Sequence, residues 1–229
     1  MHGFGVYFLF VIPPFILGLV VQHWLKTTVG RELQAPVANG LTGAQAAREI
    51  LDRNGLHAIS IERAAGGPLS DNYDPTKRKL FLSQPVYDGV SIASTAIAAH
   101  ESGHAIQHAK AYKPMEIRSA LFPVVAFASN TWMFLLLIGF VTQALGLVKI
   151  AIVLFAAIVL FQLVTLPVEF DASRRALVQM TELGLVTTGE HQGARKVLTA
   201  AAMTYVAGAL AAVATLAYYL LVFFGGGRR

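Results

Sequence analysis

The chain has 229 residues, of which 55% are hydrophobic and only 14% are charged, whereas typical soluble domains have about 25% charged residues. This composition argues against a soluble domain and indicates an integral membrane protein. The formal net charge is +5, but the basic residues are scattered and no aromatic side chains alternate with them, which argues against a nucleic-acid partner. Cysteine is absent, which excludes disulfides and thiolate ligands and leaves histidine and carboxylates as the strong metal ligands.

Four apolar segments are long enough to cross a bilayer, for which about 20 apolar residues suffice. The first lacks the positive start and the cleavage site of a signal peptide, so we expect an uncleaved anchor. We expect a single domain over residues 1–229, mainly α-helical, with four transmembrane helices. The predicted spans are residues 4–25, 120–145, 148–168 and 197–224.

Two polar segments, residues 26–118 and 169–196, separate these spans. Within the first, Thr42 and Gln45 have the spacing of a capping box, which predicts the start of a helix. Asn54-Gly55 predicts its end.

Residues 57–63 and 78–83 have the composition of short strands, and Asn72-Tyr-Asp-Pro75 is typical of a turn. We therefore expect a small antiparallel sheet ahead of the next helix. Its edge could bind a peptide by strand addition, or the hairpin could be purely structural. Pro114 is expected to end the helix that follows.

That helix is predicted around His100-Glu101-Ser102-Gly103-His104, in a proline-free, alanine-rich stretch. His100 and His104 lie one turn apart on the same helix face, so both rings can reach one tetrahedral ion, for which zinc is the expected metal. Glu101 lies at the edge of that face and can act as general base toward a water. The H-E-x-x-H spacing is typical of peptide-bond hydrolysis. The alternative is a core helix with two buried histidines, which would be unfavourable without polar partners.

A zinc site of this kind needs a third protein ligand. His108 lies eight residues after His100, about 12 Å along a straight helix, so it cannot share one ion with that ring. Glu169 is favoured because it follows the third span, and Glu116 is the alternative.

The charge distribution predicts a cytoplasmic site in the plasma membrane. Residues 26–118 hold 11 Lys and Arg, residues 169–199 hold four, and the connection between the second and third spans has one beside it, Lys149, at the start of the third span. Two crossings separate the polar segments, so both lie on the same side, and the positive-inside tendency places them in the cytoplasm.

Several stretches of the chain are similar to one family along nearly its whole length. That family is the bacterial membrane-embedded neutral zinc metallopeptidases of the YugP type, and the chain more distantly resembles the heat-shock and CAAX-prenyl integral-membrane peptidases. The matching stretches are Gly40-Leu-Thr-Gly-Ala44, Asp71-Asn-Tyr-Asp-Pro75, His100-Glu-Ser-Gly-His-Ala-Ile-Gln-His108 and Glu169-Phe-Asp-Ala-Ser-Arg-Arg-Ala176.

The resemblance implies one zinc ion per chain, held by His100, His104 and Glu169, with Glu101 as general base. It also implies a small α+β zincin-like region of the gluzincin type. The wider group usually has Asp four residues after the ligand glutamate, where this chain has Ser173. The remaining site candidates are Asp171, Ser173 and His108 around the ligands, and Tyr73, Arg174 and Arg175 for the oxyanion or substrate.

These observations predict a zinc-dependent membrane endopeptidase that hydrolyses protein or peptide substrates, membrane proteins among them. One alternative is a catalytically inert zinc-binding membrane scaffold or adaptor. A transporter is disfavoured because the predicted spans carry almost no ionisable residues.

Overall fold

The computed structural model describes residues 2–67 and 69–225, and it is mainly helical. Three short strands lie between the second and third helices. The elements in chain order are α1 (His2–Leu33), α2 (Gly43–Arg53), β1 (Ser60–Arg63), β2 (Asn72–Asp74), β3 (Lys79–Leu82), α3 (Gln84–Tyr87), α4 (Ile92–Ala109), α5 (Lys113–Val141), α6 (Leu145–Glu182) and α7 (Thr188–Gly225).

Four helices, α1, α5, α6 and α7, are long and apolar enough to cross a membrane. Large apolar side chains face outward along them; Phe134 is 68% exposed and Val141 is 84% exposed. Such a concentration of exposed apolar side chains suits a lipid surface and not water. The prediction of a mainly helical chain with four helices of membrane-spanning length is therefore confirmed.

The chain divides into two compact units. The apolar unit comprises Met1–Val21, Glu116–Leu166 and Thr204–Arg229, and the polar unit comprises Gln22–Met115 and Pro167–Met203. Within the apolar unit, Trp132 packs against Phe155 with ring centroids 4.5 Å apart. All candidate functional residues except Glu116 belong to the polar unit.

Helix α2 begins and ends where the sequence predicts. The Thr42 hydroxyl accepts a hydrogen bond from the Gln45 backbone N–H, and the Gln45 side chain accepts one from the Thr42 backbone N–H, which together form the predicted capping box. Asn54 caps the other end, and Gly55 follows with φ of 72°, the left-handed conformation that glycine adopts without strain.

The small sheet has the strand order β1–β3–β2 and is mixed. Strand β2 pairs antiparallel with β3, whereas β1 pairs with β3 in parallel, with Ser60 opposite Lys79. The prediction of an antiparallel sheet is thus wrong for the β1–β3 pair. The sequence interpretation treated residues 72–74 as part of the turn between two antiparallel strands. These residues instead form β2, and β2 is the antiparallel neighbour of β3.

Most side chains of helix α4 are buried within the polar unit. Its first turn is capped by Ser91, whose hydroxyl accepts from the Ser94 N–H. The helix ends at Ala109, and Ala111 follows with φ of 47°. The prediction that Pro114 ends it is wrong, because Pro114 lies in the first turn of α5, where a missing N–H leaves no helical bond unmade.

Candidate metal centre

Three ligand-type side chains converge where α4 meets the start of the polar part of α6. Glu169 Oε2 lies 3.2 Å from His100 Nε2 and 3.5 Å from His104 Nε2. One ligand atom from each residue can be chosen so that all three lie within 4.8 Å of one another. Glu169 and His104 are buried and His100 is partly so.

The local helix geometry brings the two rings together. Because His100 and His104 are four residues apart in α4, their side chains project from successive turns of one face, and their ring centroids are 4.8 Å apart. The H-E-x-x-H spacing therefore presents two imidazole nitrogens side by side without help from any other element.

Glu169 reaches these rings because α6 packs unusually close to α4. A Cβ on Gly103 would lie 2.6 Å from the carbonyl oxygen of Ala172, a separation that no real side chain tolerates. Gly103, between the two histidines in sequence, therefore permits the close approach of the two helix backbones. Ala172 contributes a small side chain at the same contact and is fully buried.

Each histidine also has a partner on its other ring nitrogen. The Ser173 hydroxyl lies 3.2 Å from His100 Nδ1, and Gln107 Oε1 lies 3.0 Å from His104 Nδ1. The Gln107 amide nitrogen in turn donates to the Val168 carbonyl and to Asp171.

A family model described as "Putative neutral zinc metallopeptidase" matches residues 7–224. The chain belongs to this family. It is also 43% identical, over 210 residues, to "Putative membrane protease YugP" of Bacillus subtilis (strain 168), an alignment that covers 92% of this chain and 93% of that protein. No solved structure matches the chain significantly. The resemblance noted from the sequence is confirmed, as are the expectations of a membrane protein and of a zinc metallopeptidase family.

The chemistry and spacing of the cluster fit the zinc of this family. Two ligand atoms bound about 2.0–2.1 Å from one tetrahedral zinc ion lie about 3.4 Å apart. The two distances from Glu169 to the rings, 3.2 Å and 3.5 Å, lie on either side of that value. Two imidazoles and one carboxylate are also a ligand set typical of catalytic zinc.

Glu101 lies directly after the first histidine and is only 8% exposed. Burial raises the pKa of its carboxyl group, and the neighbouring His100 and His104 rings oppose that shift. A buried carboxylate with a raised pKa has the character of a general base, because it accepts a proton more readily than a solvated glutamate does.

The other predicted residues have different partners. The Tyr73 hydroxyl lies 2.8 Å from His108 Nδ1, and burial raises the pKa of that phenol. Arg174 and Arg175 both donate to Asp171. The metal cluster found among the described residues comprises His100, His104 and Glu169, without His108 or Glu116.

One residue of the site was missed from the sequence. Gln107 is fully buried and contacts a candidate ligand, yet it belongs to no ligand or base motif. The available signal was its position: it follows His104 by three residues, on the same face of the predicted helix, in an alanine-rich stretch.

Proposed function

We propose that the protein is a zinc-dependent membrane endopeptidase of the H-E-x-x-H, gluzincin type, which hydrolyses peptide bonds in protein or peptide substrates. The observation that carries the proposal is the convergence of His100 Nε2, His104 Nε2 and Glu169 Oε2 beside the buried carboxylate of Glu101. A catalytic zinc site needs three protein ligands and a base next to the position of the bound water, and these four residues can supply the ligands and the base.

In this proposal His100, His104 and Glu169 hold one zinc ion per chain. Zinc at such a site supplies a water of lowered pKa and polarises the scissile carbonyl. Glu101 takes a proton from the attacking water and delivers it to the nitrogen of the leaving amine, which the reaction must protonate for the C–N bond to break. The raised pKa of Glu101 suits both halves of that transfer.

Contacts within the polar unit rank the candidates for binding the oxyanion or the substrate. Arg174 and Arg175 both donate to Asp171, so part of their donor capacity is already used, although this one carboxylate offsets only one of the two positive charges. Tyr73 lies on β2, an edge strand of the sheet, and its hydroxyl lies 2.8 Å from His108 Nδ1. We therefore favour Tyr73 for contact with substrate.

Substitution of the proposed base tests the function. Purified full-length protein in detergent, loaded with zinc, should cleave labelled casein, and a zinc chelator should stop the cleavage. Glu101→Gln should lower the rate by about 10²–10⁴-fold while zinc content, measured by elemental analysis, stays at the wild-type level. Glu49→Gln, on α2, is the matched control and should leave both unchanged.

An inert zinc-binding scaffold would give a different result. In that case the wild type would bind zinc but cleave neither casein nor membrane peptides, and Glu101→Gln would change nothing. Undiminished cleavage by Glu101→Gln would instead contradict the role of that residue as base.

The proposal also places the site on the cytoplasmic side of the plasma membrane, and the absence of cysteine makes this testable. Lys110 and Lys196 are both exposed in the polar unit, so Lys110→Cys and Lys196→Cys each introduce a single accessible thiol. A membrane-impermeant maleimide should label both in inverted vesicles and neither in intact cells. Labelling in intact cells would reverse the proposed orientation.

A further inference from the structure

We propose that Gln107 is a positioning residue that fixes which nitrogen of His104 faces the metal, and that Asp171 acts on the site through Gln107 and not by direct contact with a histidine. The inference rests on the proposed zinc site, and it assigns to the pair a role that no ligand or base motif contains.

The Gln107 amide contacts three polar groups of the described residues. Its nitrogen lies 2.8 Å from the Val168 carbonyl oxygen and 3.0 Å from Asp171 Oδ2. Its oxygen lies 3.0 Å from His104 Nδ1. The side chain is fully buried, so bulk water does not compete for these contacts.

These partners permit only one orientation of the amide. A backbone carbonyl and a carboxylate can only accept hydrogen bonds, so the NH₂ group, with its two donors, must face Val168 and Asp171. The reverse orientation would set the amide oxygen against two acceptors, and the NH₂ group would find at most one acceptor, His104 Nδ1, for its two buried donors. The amide oxygen therefore faces the His104 ring.

The orientation of the amide then determines the tautomer of His104. An amide oxygen accepts and cannot donate, so the Nδ1 atom opposite it must carry hydrogen. In a neutral imidazole the hydrogen is on one nitrogen, so the lone pair is left on Nε2. Nε2 is the atom that lies 3.5 Å from Glu169 Oε2, on the side of the proposed ion.

Asp171 holds the Gln107 amide in this orientation by accepting from its NH₂ group. It is 6% exposed and accepts from Arg174 at one oxygen and from Arg175 at the other. Held in this way, Oδ2 remains a fixed acceptor for the Gln107 NH₂ group. A carboxylate thus orients a ligand histidine at one remove, through an amide, in contrast to the direct carboxylate–histidine contact common in zinc sites.

His100 lacks this control. Its Nδ1 faces the Ser173 hydroxyl, which can rotate to donate or to accept. That contact therefore allows either tautomer, and we expect Gln107 to matter more than Ser173 for zinc binding.

The test measures zinc affinity and stability separately, by chelator competition and by thermal unfolding of the metal-free protein in detergent. Gln107→Met keeps the size but removes the acceptor, so zinc affinity should fall by about 10–100-fold. Gln107→Glu keeps an acceptor for Nδ1–H but places a second carboxylate beside Asp171. Its metal-free form should therefore unfold at a lower temperature than metal-free Gln107→Met. It should nevertheless bind zinc more tightly than Gln107→Met. Gln179→Met, an amide on α6 whose nearest partners are Asn54 and Glu182, is the control and should bind zinc like the wild type.

A double-mutant cycle tests the role of Asp171. Asp171→Ala alone should weaken zinc binding, but it should have little further effect in the Gln107→Met background, because the two residues act in series. Additive losses would overturn the relay, and equal zinc affinity of Gln107→Met and wild type would overturn the positioning role. Neither result bears on the proposed peptidase function, which is contradicted only if the wild type binds no zinc or does not cleave.

Discussion

Helices α4 and α6 supply the proposed zinc ligands, and they differ in almost every other respect. Helix α4 has 18 residues, of which 14 are buried. Helix α6 has 38 residues, and its first part is apolar and outward-facing, with Val153 68% exposed. Acidic side chains first occur in it at Glu169. Helix α4 thus contributes two proposed ligands from a mostly buried helix. Helix α6 contributes one, Glu169, at the end of a segment long and apolar enough to cross a membrane.

The difference explains why the two helices present their ligands so differently. The histidine pair of α4 is set by local geometry, since residues i and i+4 share a face in any α-helix. Glu169 is 1% exposed, and a buried carboxylate is strongly unfavourable unless charged or hydrogen-bonding partners surround it. Its stability in that position depends on the rings of α4, and with zinc present it depends on the ion as well.

The largest effect on zinc binding is expected at Glu169, the one proposed ligand that α6 contributes. Glu169→Gln removes the anionic ligand while keeping the size of the side chain, so zinc content should fall to background and cleavage should cease. Elemental analysis of the purified variant gives the direct measurement. Glu116→Gln, a change in the apolar unit, is the matched control and should retain zinc; the opposite pattern would move the third ligand to Glu116.

The next effect tests the close approach of the two helices. Gly103→Ala sets a methyl group against the Ala172 carbonyl, so the helices must move apart, at a cost of about 1–3 kcal/mol. We expect a lower unfolding temperature in detergent together with weakened zinc binding, because the same movement draws Glu169 away from the rings.

Gly30 offers the comparison for that variant. A Cβ there would meet nothing within 4 Å, and it lies inside α1 in the same unit. Gly30→Ala should therefore leave zinc affinity unchanged and not reduce stability, since alanine is the better helix former. Equal behaviour of the two variants would show that the contact at Gly103 does not position the ligands.

The smallest effect is expected at Ser173. Ser173→Ala removes one neutral hydrogen bond to His100, which is worth about 0.5–1.5 kcal/mol, so zinc affinity should fall by about two- to tenfold. Thr199→Ala removes a hydroxyl whose bond is local, to the Arg195 carbonyl, and should not alter zinc binding. A loss at Ser173 as large as that of Gln107→Met would remove the distinction drawn between the two histidines.

Much of the molecule could be predicted from the sequence because the controlling interactions are local or compositional. The four long apolar helices follow from segment length, and the limits of α2 follow from Thr42, Gln45 and Asn54-Gly55. The sheet could not be predicted in the same way: β2 is three residues long and contains turn-forming residues, and its strand character comes from pairing with β3.

The sequence by itself determined that two imidazoles and a glutamate project from one helix, since a repeat of 3.6 residues per turn fixes their faces. It also determined that this helix belongs to a membrane protein. Only the tertiary structure decided which distant carboxylate faces the rings, that Gly103 lets α6 approach, and that a buried amide connects His104 to Asp171. These contacts join residues more than 60 positions apart, and their geometry depends on how two helices pack, which no local spacing encodes.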